Sequence, residues 1–147
     1  MATGLVRRRW LVLAAAWAVS LVVPLAGCEK GIRRIPVSGT VTLDGQPLKG
    51  GVLLFHPDDS KGNTVRVSCT GPVSNGRYTL VTSGVTKADT GSGAPTGWFK
   101  VTLINDLPGM AEIKVHPKYL KPETTPLAIE IVDNPQPGAY DLKLTTK

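Results

Sequence analysis

Hydrophobic and polar residues alternate along most of this chain, but only after an unbroken apolar block. That block runs from Trp10 to Leu25 without a charge and follows Arg7-Arg8-Arg9. Beyond it, Val37, Gly39, Val41 and Leu43 alternate with Ser38, Thr40 and Thr42, the period of a half-buried strand. Asp44-Gly45 and Pro47 turn the chain. The continuous run Val52 to Phe55 predicts a strand near a sheet centre, ended by Pro57. A strand over 64–70 then leads towards Asn75-Gly76, which tolerates the positive φ angles of a type I′ hairpin turn. The returning strand, 77–82, carries Tyr78 and Leu80 on its inner face. Residues 83–95 are rich in Gly, Ser and Thr, show no apolar period and predict a long exposed loop. Alternation resumes from Trp98 to Ile104, with Phe99, Val101 and Leu103 opposite Trp98, Lys100 and Thr102. A brief edge strand is expected over 112–115, with Ile113 and Val115 inward. Two further strands carry Leu127, Ile129 and Ile131, and Tyr140, Leu142 and Leu144.

No segment after the first block has a helical period. The expectation is an all-β chain, one β-sandwich of about seven strands behind an N-terminal signal helix.

A basic head, an apolar middle and small residues before a break are the anatomy of an export signal. The closing stretch, Leu25-Ala26-Gly27-Cys28, resembles the bacterial lipobox. The resemblance implies that the Cys28 thiol receives a diacylglycerol and becomes the first residue of the mature protein. Leu25, Ala26 and Gly27 would be what the signal peptidase recognises. A thiolate suits that alkylation because it is the strong nucleophile available near neutral pH. Three rivals are a retained transmembrane anchor, near the lower length limit for spanning a bilayer, an ordinary signal cleaved at an Ala-x-Ala site, and a buried helix of a soluble protein, which the triple arginine in front disfavours. Pro24 and Gly27, with no basic residue at once beyond, favour processing. Glu29, where an inner-membrane retention signal usually has Asp, tips the expected destination towards the outer membrane. The organisation read from this is a signal peptide over 1–27, a tether over 28–36 and a β-sandwich over 37–147.

Charge and cysteine content narrow the class. The net charge of +6 includes Arg7, Arg8 and Arg9, so the mature part keeps 14 Lys and Arg against 11 Asp and Glu, near +3. The longest basic run there is Arg33-Arg34, in the tether, and no nucleic-acid partner is expected. With Cys28 acylated, Cys69 is alone and can form no internal disulfide. It shares the alternating face of Val65 and Val67, the setting of a buried, inert thiol.

The order of motifs carries a second resemblance. Val37-Ser38-Gly39-Thr40-Val41-Thr42 leads to Asp44-Gly45-Gln46-Pro47-Leu48-Lys49-Gly50-Gly51-Val52. The later markers are Gly76-Arg77-Tyr78-Thr79-Leu80, Gly93-Ala94-Pro95-Thr96-Gly97, Lys118-Tyr119 and Thr125-Pro126-Leu127. This series is similar to the small transthyretin-like, carboxypeptidase-regulatory-like lipoproteins of planctomycete bacteria. The resemblance implies a prealbumin-like sandwich and assigns no activity.

Candidate chemistry is sparse. His56 and His116 each precede a proline at a strand end, and Asp58 and Asp59 lie beside His56. An acid–base or metal site would need those residues to converge. The transthyretin fold also houses a hydroxyisourate hydrolase, whose Tyr-Arg-Gly-Ser tail is replaced here by Leu144-Thr145-Thr146-Lys147. Neither a Gly-x-Ser-x-Gly elbow nor a His-Glu-x-x-His pair occurs, and Asp58 to Asn63 lacks the ligand order of an EF-hand. Trp98 and Tyr119 are candidates for a binding surface, since an exposed aromatic can stack on a sugar or anchor a partner. The expected function is therefore a non-enzymatic, lipid-anchored extracytoplasmic binding or structural module of the cell envelope, with no catalytic residue, metal or cofactor. The expected partners are membrane lipid through Cys28 and an envelope protein or glycan. The alternative is an accessory or carbohydrate-binding domain for an exported enzyme.

Overall fold

Burial with a period of two governs the computed structural model, which describes residues 31–147. The segment expected to be a signal peptide, 1–27, and Cys28 lie outside the described residues. Ten strands follow in chain order: β1 (Ser38–Leu43), β2 (Gln46–Pro47), β3 (Val52–Pro57), β4 (Cys69–Ser74), β5 (Arg77–Thr79), β6 (Val81–Thr82), β7 (Gly91–Ser92), β8 (Gly97–Ile104), β9 (Ala128–Ile131) and β10 (Leu142–Leu144). Helical structure among the described residues is limited to two 3-10 turns, Asp59–Lys61 and Pro117–Leu120. The protein is all-β, as the alternation predicts.

Seven strands lie on one path, β10-β1-β5-β4-β3-β8-β9, with β2, β6 and β7 as short additions. All pairings are antiparallel except β1 with β10, where Val41 faces Leu142 and Leu43 faces Leu144. The path curls around one core. Leu53 and Phe55 of β3, Val101 and Phe99 of β8, Val41 of β1 and Leu144 of β10 are all buried in it. The Phe55 ring lies 5.9 Å from that of Tyr78 on β5 and 6.4 Å from that of Phe99, in tilted contacts typical of aromatic packing. β3 sits between β4 and β8, which explains its continuous apolar run.

Both tight turns follow their sequences. Asn75 and Gly76 take φ of 50° and 73°, and Asp44 and Gly45 take 49° and 82°, so each pair closes a hairpin with the primed geometry that matches strand twist. Gly76 also has no room for a side chain, because a Cβ there would sit 2.7 Å from Pro47 Cβ.

Four expectations are corrected. The strand predicted over 64–70 pairs only from Cys69 onward. Val65 and Val67 keep the alternating burial, but in the β3–β4 register they would face Asp59 and Pro57, where β3 has ended and the chain enters a 3-10 turn. Asn63 instead binds Trp98, its Nδ2 donating to Trp98 O at 2.5 Å and its Oδ1 accepting from Trp98 N at 2.9 Å. The predicted edge strand at 112–115 is absent, although Ile113 and Val115 do pack on the core. The backbone there is held instead by a turn, with Ile113 N donating to Asn105 O and Asn105 Nδ2 donating to Ile113 O. The loop predicted over 83–95 is exposed mainly as far as Thr90. Gly91–Ser92 pairs with β6, and Ala94 is fully buried and bridges Ile35. Gly93, at φ 89°, makes this possible, since a Cβ would collide with the Ile35 carbonyl. Lastly, the tether is docked rather than free: Ile32 N donates to Asp89 Oδ1 at 3.3 Å, and Ile35 N donates to Ala94 O at 2.9 Å. Backbone groups of the segment find partners on the domain, so the folded unit starts before residue 37.

Candidate functional site

The β1–β2 hairpin builds one wall of an apolar groove. After the Asp44-Gly45 turn, Leu48 N donates to Val41 O at 3.0 Å, which folds Leu48 back onto the core. Beyond β8, the chain passes through Asn105 and a turn in which Met110 N donates to Leu107 O at 3.0 Å. The two segments face each other across a groove of about 470 Å³ lined by Leu43, Pro47, Leu48, Met110 and Ile113. Lys49 and Glu112 stand among the lining residues as its polar members, with Gln46. Half of Met110 is exposed, and its flexible thioether can adapt to what lies against it. The size and lining suit a small apolar ligand or a few apolar side chains of a partner. No short motif marks this groove, because its walls come from segments some 60 residues apart in sequence.

Trp98 occupies a second, shallower cleft with Asn63, Thr64 and Glu130. The ring is half-buried, and Lys61 Nζ lies 5.2 Å from its centroid, so a cation already covers part of it. The surface role expected of Tyr119 does not hold. Its ring is only 4% exposed and belongs to the core, and its hydroxyl reaches Thr145 Oγ1 at 3.4 Å. The prolines around it conceal the packing of a 3-10 turn that drives this residue inward.

The two histidines do not form a common site. His56 Nε2 lies 2.9 Å from Thr102 Oγ1 on the neighbouring strand, and burial pulls its pKa down against a smaller opposing effect of Glu123. His116 caps the second 3-10 turn, its Nδ1 accepting from Lys118 N at 3.1 Å. Asp58 caps the first, its Oδ1 accepting from Ser60 N at 3.1 Å and from Ser60 Oγ at 2.6 Å. The Ser60 hydroxyl is the main cause of its lowered pKa. Among the described residues, no three His, Cys, Asp or Glu side chains gather as metal ligands would. Cys69 is fully buried beside Thr82 Oγ1 at 3.5 Å, and burial pushes its thiol up, away from the reactive thiolate.

Leu25, Ala26, Gly27 and Cys28 lie outside the described residues. No helix among those described is long and apolar enough to cross a membrane. No family model matches the chain, and neither a curated protein nor a solved structure matches it.

Proposed function

We propose that this protein is a lipoprotein of the bacterial cell envelope, anchored through acylated Cys28, that displays a transthyretin-like β-sandwich as a non-enzymatic binding module. The observation that carries the reading is the run from Arg7 to Cys28: basic head, apolar middle and a Leu25-Ala26-Gly27-Cys28 end. An all-β domain follows it almost at once, which suits an exported, surface-tethered module. The apolar groove between the β1–β2 hairpin and Met110 supports binding as the role. That His56 and His116 are each engaged in holding the fold supports a non-enzymatic reading. Substituting Cys28→Ala in the expressing bacterium tests the anchor. The expected product is unprocessed precursor without incorporated lipid; normal acylation and cleavage would overturn the proposal.

One observation favours the alternative of a carbohydrate-binding accessory domain, namely Trp98 set among Asn63, Thr64 and Glu130. A glycan array with Trp98→Ala as control tests it. Binding lost in the variant would support that reading, and no signal from the native protein would eliminate it.

A further inference from the structure

The stem that leads back to Cys28 is fastened to one particular loop. Gly31 lies so close to the Ala88 carbonyl that any Cβ would collide with it. Ile32 N donates to Asp89 Oδ1, and Arg34 Nη1 donates to Ala88 O at 3.0 Å. On the other side, Arg33 pairs with Asp133 at 2.9 Å. The guanidinium groups of Arg33 and Arg34 therefore hold the stem in place on the domain.

Covalent geometry then limits where the membrane can be. From Cys28 to Gly31 is three residue steps, at most about 11 Å of fully extended chain. An acyl chain on the Cys28 sulfur would thus lie close to the 84–90 loop whatever path those residues take. This loop is a closed turn tied by its own side chains. Thr86 Oγ1 donates to Asp89 Oδ2 at 2.7 Å, Asp89 N donates to Thr86 O at 3.1 Å, and Thr90 Oγ1 donates to Gly84 O at 3.3 Å. At its tip Val85 is wholly exposed, at 101%, and Lys87 is exposed beside it. A valine held out in water from a tied turn has no packing role within the domain. Beside a bilayer, its side chain would enter the headgroup boundary while Lys87 meets anionic phosphates.

We propose that the tip of the 84–90 loop, led by Val85 and Lys87, seats on the anionic phospholipid surface that anchors Cys28. The β1–β2 hairpin lies at the other end of β1, about 20 Å away at about 3.3 Å per residue. The domain consequently stands with its apolar groove turned away from the bilayer. This orientation rests on the lipidation proposed above.

The test uses the full-length lipoprotein carrying Val85→Cys, labelled with an environment-sensitive fluorophore and reconstituted into phosphatidylcholine–phosphatidylglycerol vesicles with a quencher-bearing lipid. Cys69 is buried and an acylated Cys28 has no free thiol, so the label enters at one place. The label at Val85→Cys should shift to the blue and lose most of its emission to the quencher, whereas one at Gln46→Cys should stay aqueous. Adding Lys87→Glu should reduce the quenching at Val85→Cys. Quenching at Gln46→Cys, or an aqueous Val85→Cys label on protein whose mass shows acylated Cys28, overturns the orientation alone. Shielding of Val85→Cys in native membranes but not in lipid vesicles assigns the tip to a protein partner and also overturns it. A mass without lipid on Cys28 removes the anchor, and this proposal with it.

Discussion

The two ends of β1 are held by different physics. From Gly31 to Arg34, the stem is fixed by single hydrogen bonds and by an Arg33–Asp133 pair whose side chains are 77% and 47% exposed. After Leu43, the hairpin is fixed by Leu48, only 2% exposed, pressed into the same core as Phe55 and Tyr78. Exposed polar contacts are individually weak, whereas buried apolar ones are strong and shared with the whole fold. The stem end can therefore orient the domain without supporting it. The groove end cannot be altered deeply without loosening the domain itself.

The largest expected effect lies at the groove. Leu48→Ala should cost about 2–5 kcal/mol of unfolding free energy, the range for a buried leucine truncated in a core, measured by urea titration. If it costs no more than the stem variants, the contrast between the two ends fails. A smaller effect is expected where the C-terminal segment is tied across β5. Tyr78 Oη donates to Tyr140 O at 2.5 Å inside the core, and burial pushes the phenol well above its ordinary pKa. Tyr78→Phe leaves a buried carbonyl without its donor and should cost about 1–3 kcal/mol. Thermal melting of the variant checks this, and an unchanged melting temperature would show that water replaces the hydroxyl.

Between the two ends, Asp141 supplies a pH dependence. Its Oδ1 accepts from Thr40 N and from Thr40 Oγ1, both at 2.8 Å, and the Thr40 backbone bond is the first cause of its lowered pKa. A carboxyl depressed in the folded state contributes stability above its unfolded pKa of about 3.9 and loses it as pH falls through the folded value. The melting temperature should thus fall on acidification below about pH 4, and Asp141→Asn should flatten part of that fall. An identical pH profile for the variant contradicts the assignment. The smallest effect belongs to the stem. Arg33→Ala should change stability by less than about 1 kcal/mol, measured in the same urea titration. A stem variant that unfolds the domain would reverse the comparison.

Much of this architecture is legible in the residues, for identifiable reasons. Alternation exposes a strand wherever one face is buried, so β1, β5, β8, β9 and β10 can be read directly, while an unbroken apolar run marks β3. Asn75-Gly76 specifies its hairpin through backbone sterics alone. Alternation reports facing, however, and not pairing. Val65 and Val67 point inward without a strand partner because, in the β3–β4 register, they would face Asp59 and Pro57, where β3 has ended at a proline and turned into a 3-10 segment. Tyr119 was hidden for a related reason, since a 3-10 turn between prolines has no apolar period to show burial. The groove needs two distant segments to meet, which no local pattern encodes. The proposed lipobox is the reverse case, a candidate site written entirely in consecutive residues.

Whether the sulfur of Cys28 carries lipid decides both the proposed anchor and the proposed orientation. Intact-mass and N-terminal peptide spectrometry of protein purified from bacterial membranes addresses it directly. The predicted result is a mature chain beginning at Cys28, with a diacylglyceryl thioether on its side chain. A chain still beginning at Met1, or one cleaved elsewhere with a free Cys28 thiol, would contradict the anchor and the orientation built on it.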